Sequence, residues 1–132
     1  MIGVDDVADL KHIPFLRGGR SRTGIDCLGL VLEVCRRGGL AVADPWKAIE
    51  ARWDAGERDP ASLVGSEWEQ IELGEARVLD VVLFRGAGAQ HVAPLLDAGW
   101  VLHTTHLTGS ILTPLSRLRH RVLSAWRWKG AS

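Results

Sequence analysis

Apolar and polar positions change rhythm once along this chain. In the stretch TGIDCLGLVLEVCRRGG, Leu28, Leu30, Val31, Leu32 and Val34 cover nearly every side of a helix, and polar residues collect at its ends. The pattern predicts a buried central helix over about 26–37, with Asp26 as N-cap. Arg36, Arg37, Gly38 and Gly39 supply its C-terminal cations and stop signal. Upstream, residues 2–11 predict a short amphipathic helix and RGGRSRTG a loop. Downstream, Pro45 to Ala55 predicts a second, weaker helix with proline in its first turn, and GERDPAS an exposed loop. From Val78 onward the runs are short and β-like: VLDVVLF, HVAPLLD, GWVLHTT, SILTPL and HRVLSAWRW, separated by Gly, Asp and Pro. Helices first and strands second predict an α+β domain, an antiparallel sheet packed on the central helix rather than alternating β-α units.

Composition narrows what such a domain could do. At 132 residues and 46% hydrophobic, the chain is expected to form one domain over 1–132 with a single core. Sixteen Lys and Arg against 16 Asp and Glu leave no net field, which argues against nucleic acid or an anionic membrane as the main partner. The basic run from Arg117 to Lys129 alternates with Leu, Val and Trp as a strand does, so it reads as sheet rather than as a nucleic-acid patch. The N-terminus has neither the basic start nor the apolar core of a secretory signal, so synthesis in the cytoplasm is expected, with the site of action left open. No metal or other cofactor is expected, because no Cys-x-x-Cys or His-x-x-x-His spacing occurs. Cys27 and Cys35 fall about two turns apart on one helix and roughly 80° out of phase, so they are expected as free thiols.

The candidate chemistry starts at Cys27. A thiol in the first turn of a helix meets unsatisfied N–H groups and the positive end of the helix dipole, both of which favour thiolate. The same N–H groups could hold the oxyanion of a tetrahedral intermediate. Cys35, at the opposite end of the dipole, is expected to be a core residue. A nucleophilic cysteine needs a base, and His91 opens the strand HVAPLL. The residue that would orient His91 depends on the turn at Asp97 to Gly99. A three-residue turn centred on Ala98 pairs position 91 with 105 and puts His103 on the same face as His91. A two-residue turn brings His106 opposite instead. His12 and His120 stand in polar surroundings and are expected to be solvated.

These residues together resemble a known family. PFLRGGRSRTGIDCLGLV is similar to the nucleophile segment of the NlpC-type cell-wall peptidases, papain-like cysteine peptidases with a Pro-Tyr-x-x-Gly-Gly loop followed by Asp-Cys-x-Gly-Leu. VLDVVLF resembles the family's Gly-Asp-hydrophobic strand, HVAPLL the strand opening with the catalytic histidine, and GWVLHTT the next strand. The resemblance runs from Pro14 to Trp128 and implies Cys27 as nucleophile, His91 as general base and then acid, and His103 as the orienting residue. It implies a peptidoglycan stem peptide as substrate, cut at the bond between D-glutamate and a diamino acid, with Phe15, Asp26 and Arg22 on the substrate side. The tail from Gly109 to Trp128 is similar to short versions in phage tails and gene-transfer particles, which implies phage-tail proteins as possible partners. Three positions depart from the pattern: Phe15 replaces a common tyrosine, Leu28 a common serine, and Leu79 the glycine before Asp80. The Phe15 departure keeps open an adaptor role with little activity, and the triad chemistry also fits an amidase or acyltransferase on another acyl substrate. Arg17, Arg20 and Arg22 flank the nucleophile loop and could receive carboxylates, although a solvated loop explains them equally. Trp100, Trp126 and Trp128 are expected in strands, while Trp46, Trp53 and Trp68 could line a cleft.

Overall fold

The central helix α1 runs from Cys27 to Arg37 in the computed structural model, which describes residues 1–45, 48, 51, 56, 67–85 and 90–130. Asp26 caps it as the sequence predicts: its backbone is extended and its Oδ1 accepts the Gly29 N–H at 2.8 Å. The end is also as expected, with Arg36 and Arg37 in the last turn and Gly38 N–H returning to the Val34 and Cys35 carbonyls. The helix is not apolar all round. Leu28, Leu30, Val31, Val34 and Cys35 are buried, whereas Leu32, Glu33 and Arg36 form an outer stripe. Each Leu or Val removed from water contributes about 1.5–3 kcal/mol, so this buried arc docks the helix.

The strands expected after Val78 form, and with one at Trp68–Ile71 (β3) that the sequence pattern does not predict they make an antiparallel sheet in the order β3-β8-β4-β5 and a separate ribbon β6-β7. The strands are β3 (Trp68–Ile71), β4 (Val81–Arg85), β5 (Gln90–Pro94), β6 (Trp100–Thr105), β7 (Gly109–Pro114) and β8 (Val122–Trp128). A single bridge, Leu95 with Val101, connects the ribbon to the sheet. One face of the assembly takes α1: Leu28, Val31 and Cys35 pack on Val81, Leu83 and Val92, while Leu30 and Val34 meet Leu96 and Leu102. The opposite face carries Val82, Phe84, Ala93 and Val101, covered by Leu118 of a one-turn helix, Leu115–Leu118. That helix and the 3-10 turn Arg119–Arg121 occupy the segment before β8, so the last strand starts at Val122, two residues later than its sequence pattern suggests.

Several expectations shift. Residues 4–10 wind as a 3-10 helix with Val7 and Leu10 buried, not as an α-helix. The RGGRSRTG loop folds back on itself as a two-stranded hairpin, β1 (Arg20–Ser21) with β2 (Gly24–Ile25). Trp68 belongs to β3, where it meets Trp128 edge to face with centroids 5.3 Å apart and packs against the Val81, Leu83 and Val92 cluster. The predicted helix from Pro45 to Ala55, with Trp46 and Trp53, and most of GERDPAS lie outside the described residues. Leu79, which replaces a glycine of the family pattern, has φ of 75°. The left-handed turn is therefore kept without the glycine, at a cost of about 1–2 kcal/mol that the packing of Leu79 against the core under α1 offsets.

Candidate active site

Asp26 builds the site before any reacting group enters it. Its carboxylate is 4% exposed and receives the Gly18 N–H at 2.7 Å, the Gly29 N–H at 2.8 Å and the Arg20 guanidinium at 2.6 Å. Arg20 in turn pairs with Asp44 at 2.8 Å. One buried carboxylate thus ties the nucleophile loop to the helix start. Asp26, expected on the substrate side, is buried, with its carboxylate held by the Gly18, Gly29 and Arg20 donors. Gly29, the glycine of Asp-Cys-x-Gly-Leu, has a matching reason: a Cβ there would sit 2.6 Å from Ile25 Cγ1 and 2.8 Å from the Gly19 carbonyl oxygen. The loop can close on the helix only because that side chain is absent.

Cys27 opens α1 with its sulfur among three backbone N–H groups, its own, that of Leu28 and that of Val92 on β5. Cys27 packs against Val92, the residue that follows His91, and the Val92 N–H favours the charged sulfur. All three N–H groups favour the thiolate, as the sequence suggests. Burial opposes them and wins: although the residue as a whole keeps some exposure, its sulfur is enclosed, and with the Asp26 charge nearby the thiol is pushed up to about 11. The expectation of a lowered thiol pKa is therefore overturned for the resting site. Cys35 is fully buried and pushed up to about 12, mainly by that burial, which fits a core residue.

The histidines converge on one aromatic ring. His91 lies opposite Phe84 in the β4–β5 register, with ring centroids 5.9 Å apart, and the His103 ring meets Phe84 edge-on at 5.8 Å. The turn decides which histidine shares the His91 face. Asp97–Gly99 forms a three-residue 3-10 turn with Ala98 at φ 61°, and the Leu95–Val101 bridge sets the register that pairs 93 with 103. His106 instead occupies the exposed turn after β6, its ring 4.0 Å from Phe15. It is close enough for its charge to lower the His91 pKa, but it is not on the strand. Burial, more than any charge, holds both His91 and His103 below the ordinary imidazole value, with the Arg121 cation adding to the effect at each. Both are neutral near pH 7. Cys27, His91 and His103 are not hydrogen-bonded to one another, a common state for catalytic groups that tighten only around substrate.

Phe15 enters from the side, bridged to Ile25 and packed on His106, so the ring that replaces a family tyrosine lies next to the histidine cluster. Arg22 does not. It pairs with Asp9 and lines a concavity of about 500 Å³ on the outer flank of α1, whose walls include Arg20, Gly29, Glu33 and Asp44 but none of Cys27, His91 and His103. Sequence reasoning missed three participants. The Val92 N–H carries no side-chain signal. Arg121 sits one residue before Val122, which pairs with Phe84, so only the β8–β4 register brings its charge near the imidazoles. Thr113, whose Oγ1 lies 2.8 Å from His103 Nε2, could have been found only by pairing β6 with β7.

The chain matches the NlpC/P60 family over residues 12–129. No curated protein matches it in sequence. Among solved structures it is similar to the NlpC/p60 domain of the peptidoglycan hydrolase SagA, at 16% identity over 94% of each chain and a TM-score of 0.61. It is also similar to a lipoprotein-like NLP/P60 family protein from Staphylococcus aureus subsp. aureus Mu50, at 22% identity and a TM-score of 0.62. A third is an NlpC/P60 family protein from Bacillus cereus ATCC 10987, at 18% identity and a TM-score of 0.65. In those last two cases the match covers 96% of this chain and only 40% and 39% of the other. These likenesses establish the papain-like α+β fold. With a family match that spans nearly the whole sequence, the chain belongs to the NlpC/P60 family, whose members are generally cell-wall peptidases.

Proposed function

We propose that this protein is a cysteine peptidase that hydrolyses peptidoglycan stem peptides, with Cys27 as nucleophile, His91 as general base and acid, and His103 as the residue that orients His91. The observation that supports the reading is the packing of Cys27, at the start of α1, against Val92, the residue that follows the neutral His91 on β5. A thiol pushed up to about 11 is not a standing thiolate, so proton transfer to His91 accompanies attack. His91 takes the thiol proton and the sulfur adds to the peptide carbonyl carbon. The tetrahedral oxyanion accepts from N–H groups at the start of α1. Collapse breaks the C–N bond, and His91 returns its proton to the leaving amine. Water, deprotonated by His91, then cleaves the thioester and releases the acid, restoring the thiol. The scissile bond we favour joins D-glutamate to the diamino acid, by likeness to the family.

The test is release of peptide from purified peptidoglycan and from a D-Glu-containing tetrapeptide by wild type, Cys27→Ala and His91→Ala. Wild type should hydrolyse both, and the variants should fall by at least about 10³-fold. Equal release by wild type and Cys27→Ala would remove the proposal.

A second reading, an adaptor that keeps the fold with weak activity, draws on the raised thiol pKa and on the hydroxyl missing at Phe15. It predicts no turnover by wild type, together with alkylation of Cys27 that is negligible at pH 7. Incorporation into a phage tail or gene-transfer particle is an expectation from the likeness of the C-terminal tail alone.

A further inference from the structure

His103 is 6% exposed, and a buried imidazole must place its polar atoms. Among the described residues its side chain has one hydrogen bond, between Nε2 and Thr113 Oγ1 at 2.8 Å. The contact is built by register. His103 on β6 pairs with Ile111 on β7 and Val101 pairs with Thr113, so Thr113 is the diagonal neighbour on the face that His103 occupies. Phe84 closes the ring from its edge. The ring is therefore held at Nε2, and Nδ1 is the nitrogen left for a second partner.

A neutral imidazole has one N–H and one lone pair, and their placement decides whether His91 can act as a base. To accept the Cys27 proton, His91 must turn a lone pair toward the sulfur and carry its own N–H on the other nitrogen. A residue that orients it must then accept that N–H, and His103 accepts at Nδ1 only if its proton resides on Nε2. An Nε2–H needs an acceptor, and the Thr113 hydroxyl oxygen is in place to be one. With the opposite tautomer two N–H groups would face each other, and His91 would be driven to point its proton at the thiol.

We propose that Thr113 is a positioning residue: through its hydrogen bond to Nε2 it holds His103 as the Nε2–H tautomer, which in turn keeps His91 in the form that can take the Cys27 proton. This rests on the assignment of Cys27, His91 and His103 as the reacting set, and it adds a fourth member behind them that touches neither substrate nor sulfur.

The experiment compares wild type, Thr113→Val, which keeps the shape and deletes the acceptor, and Thr113→Ser, which keeps the hydroxyl. Thermal melts verify that each is folded. Two readouts follow: kcat and KM on the stem tetrapeptide, and the imidazole nitrogen shifts of His103 by NMR at pH 7.5. Thr113→Val should lower kcat by about 10-fold with KM unchanged, in the range found when the partner that orients a functional histidine is removed. Thr113→Ser should stay within about 2-fold of wild type, as a retained acceptor requires. The His103 signals should report Nε2–H in wild type and Thr113→Ser, and a mixture of tautomers in Thr113→Val. An Nδ1–H tautomer in wild type would overturn the inference, as would tautomer signals unchanged in Thr113→Val or a serine variant as slow as the valine one. The NMR result needs no turnover, so an inactive wild type counts against the proposed peptidase and leaves this inference to be decided on the tautomer alone.

Discussion

At the scale of single residues, the site is governed by competition between burial and local dipoles. Three N–H groups favour the Cys27 thiolate, yet enclosure pushes the thiol up to about 11. Alkylation of Cys27 by iodoacetamide should therefore be slow at pH 7 and climb steeply between pH 8 and 10, because the thiolate is the reactive form. Cys35, fully buried and pushed up to about 12, should stay unlabelled until the protein unfolds. Mass mapping of the modified cysteine checks both expectations, and labelling of Cys27 that is already complete at pH 6 would contradict the first. The histidines respond to a different charge. Arg121 lowers the pKa of both His91 and His103, so Arg121→Gln should raise both. More imidazolium is then present at any given acidic pH, and the acid limb of kcat/KM should move to higher pH. An NMR titration of the two rings measures the same shift without turnover.

At the scale of elements, the start of α1 is the most constrained piece of the molecule. Gly29 leaves room for the Gly19 carbonyl and Ile25, and Gly18, at φ 75°, sends its N–H to the Asp26 carboxylate. Gly29→Ala removes a helix glycine, a change worth about 1 kcal/mol in favour of the helix by propensity alone. A Cβ 2.8 Å from a backbone oxygen should reverse that sign and cost about 1–3 kcal/mol, because neither the loop nor the helix can retreat freely. A denaturant melt distinguishes the two outcomes, and a gain in stability would show that the loop is looser than its hydrogen bonds imply. Asp26→Ala should cost about 1–3 kcal/mol, since it leaves the Gly18 and Gly29 backbone donors unpaired while Arg20 keeps its Asp44 partner.

At the scale of the whole molecule, two neutral imidazoles, His103 buried and His91 partly buried, link stability to pH. His91 and His103 both titrate below 6.5 in the fold, whereas the unfolded chain protonates near that value. Between the two values the unfolded state binds more protons, so stability rises with pH there. Their contribution is full above about pH 6.5 and is lost as pH falls through the folded values. The melting temperature should accordingly drop between pH 7.5 and 5, and the double variant His91→Gln, His103→Gln should flatten that dependence. A profile of equal slope in the double variant would assign the effect to other groups.

What the amino-acid sequence determined by itself was the local half of the problem. The cap at Asp26, the span of α1, the β character after Val78 and the order of Cys27, His91 and His103 all follow from residue type and short spacing, which is where propensity and periodicity act. The family pattern added roles to those positions. Tertiary structure alone decided the rest, because each remaining property depends on groups distant in the chain. The β6 register selected His103 over His106 for the face of His91, through a turn at Ala98 whose two candidate lengths look alike in sequence. The strand at Trp68–Ile71 exists because β8 pairs with it, since its own pattern carries little apolar alternation. The sign of the thiol shift was set by how much chain closes over the sulfur, a quantity no sequence motif encodes. The Thr113 contact exists because two neighbouring strands align their diagonals, and hydrogen bonds of that kind are written in pairing rather than in residue order.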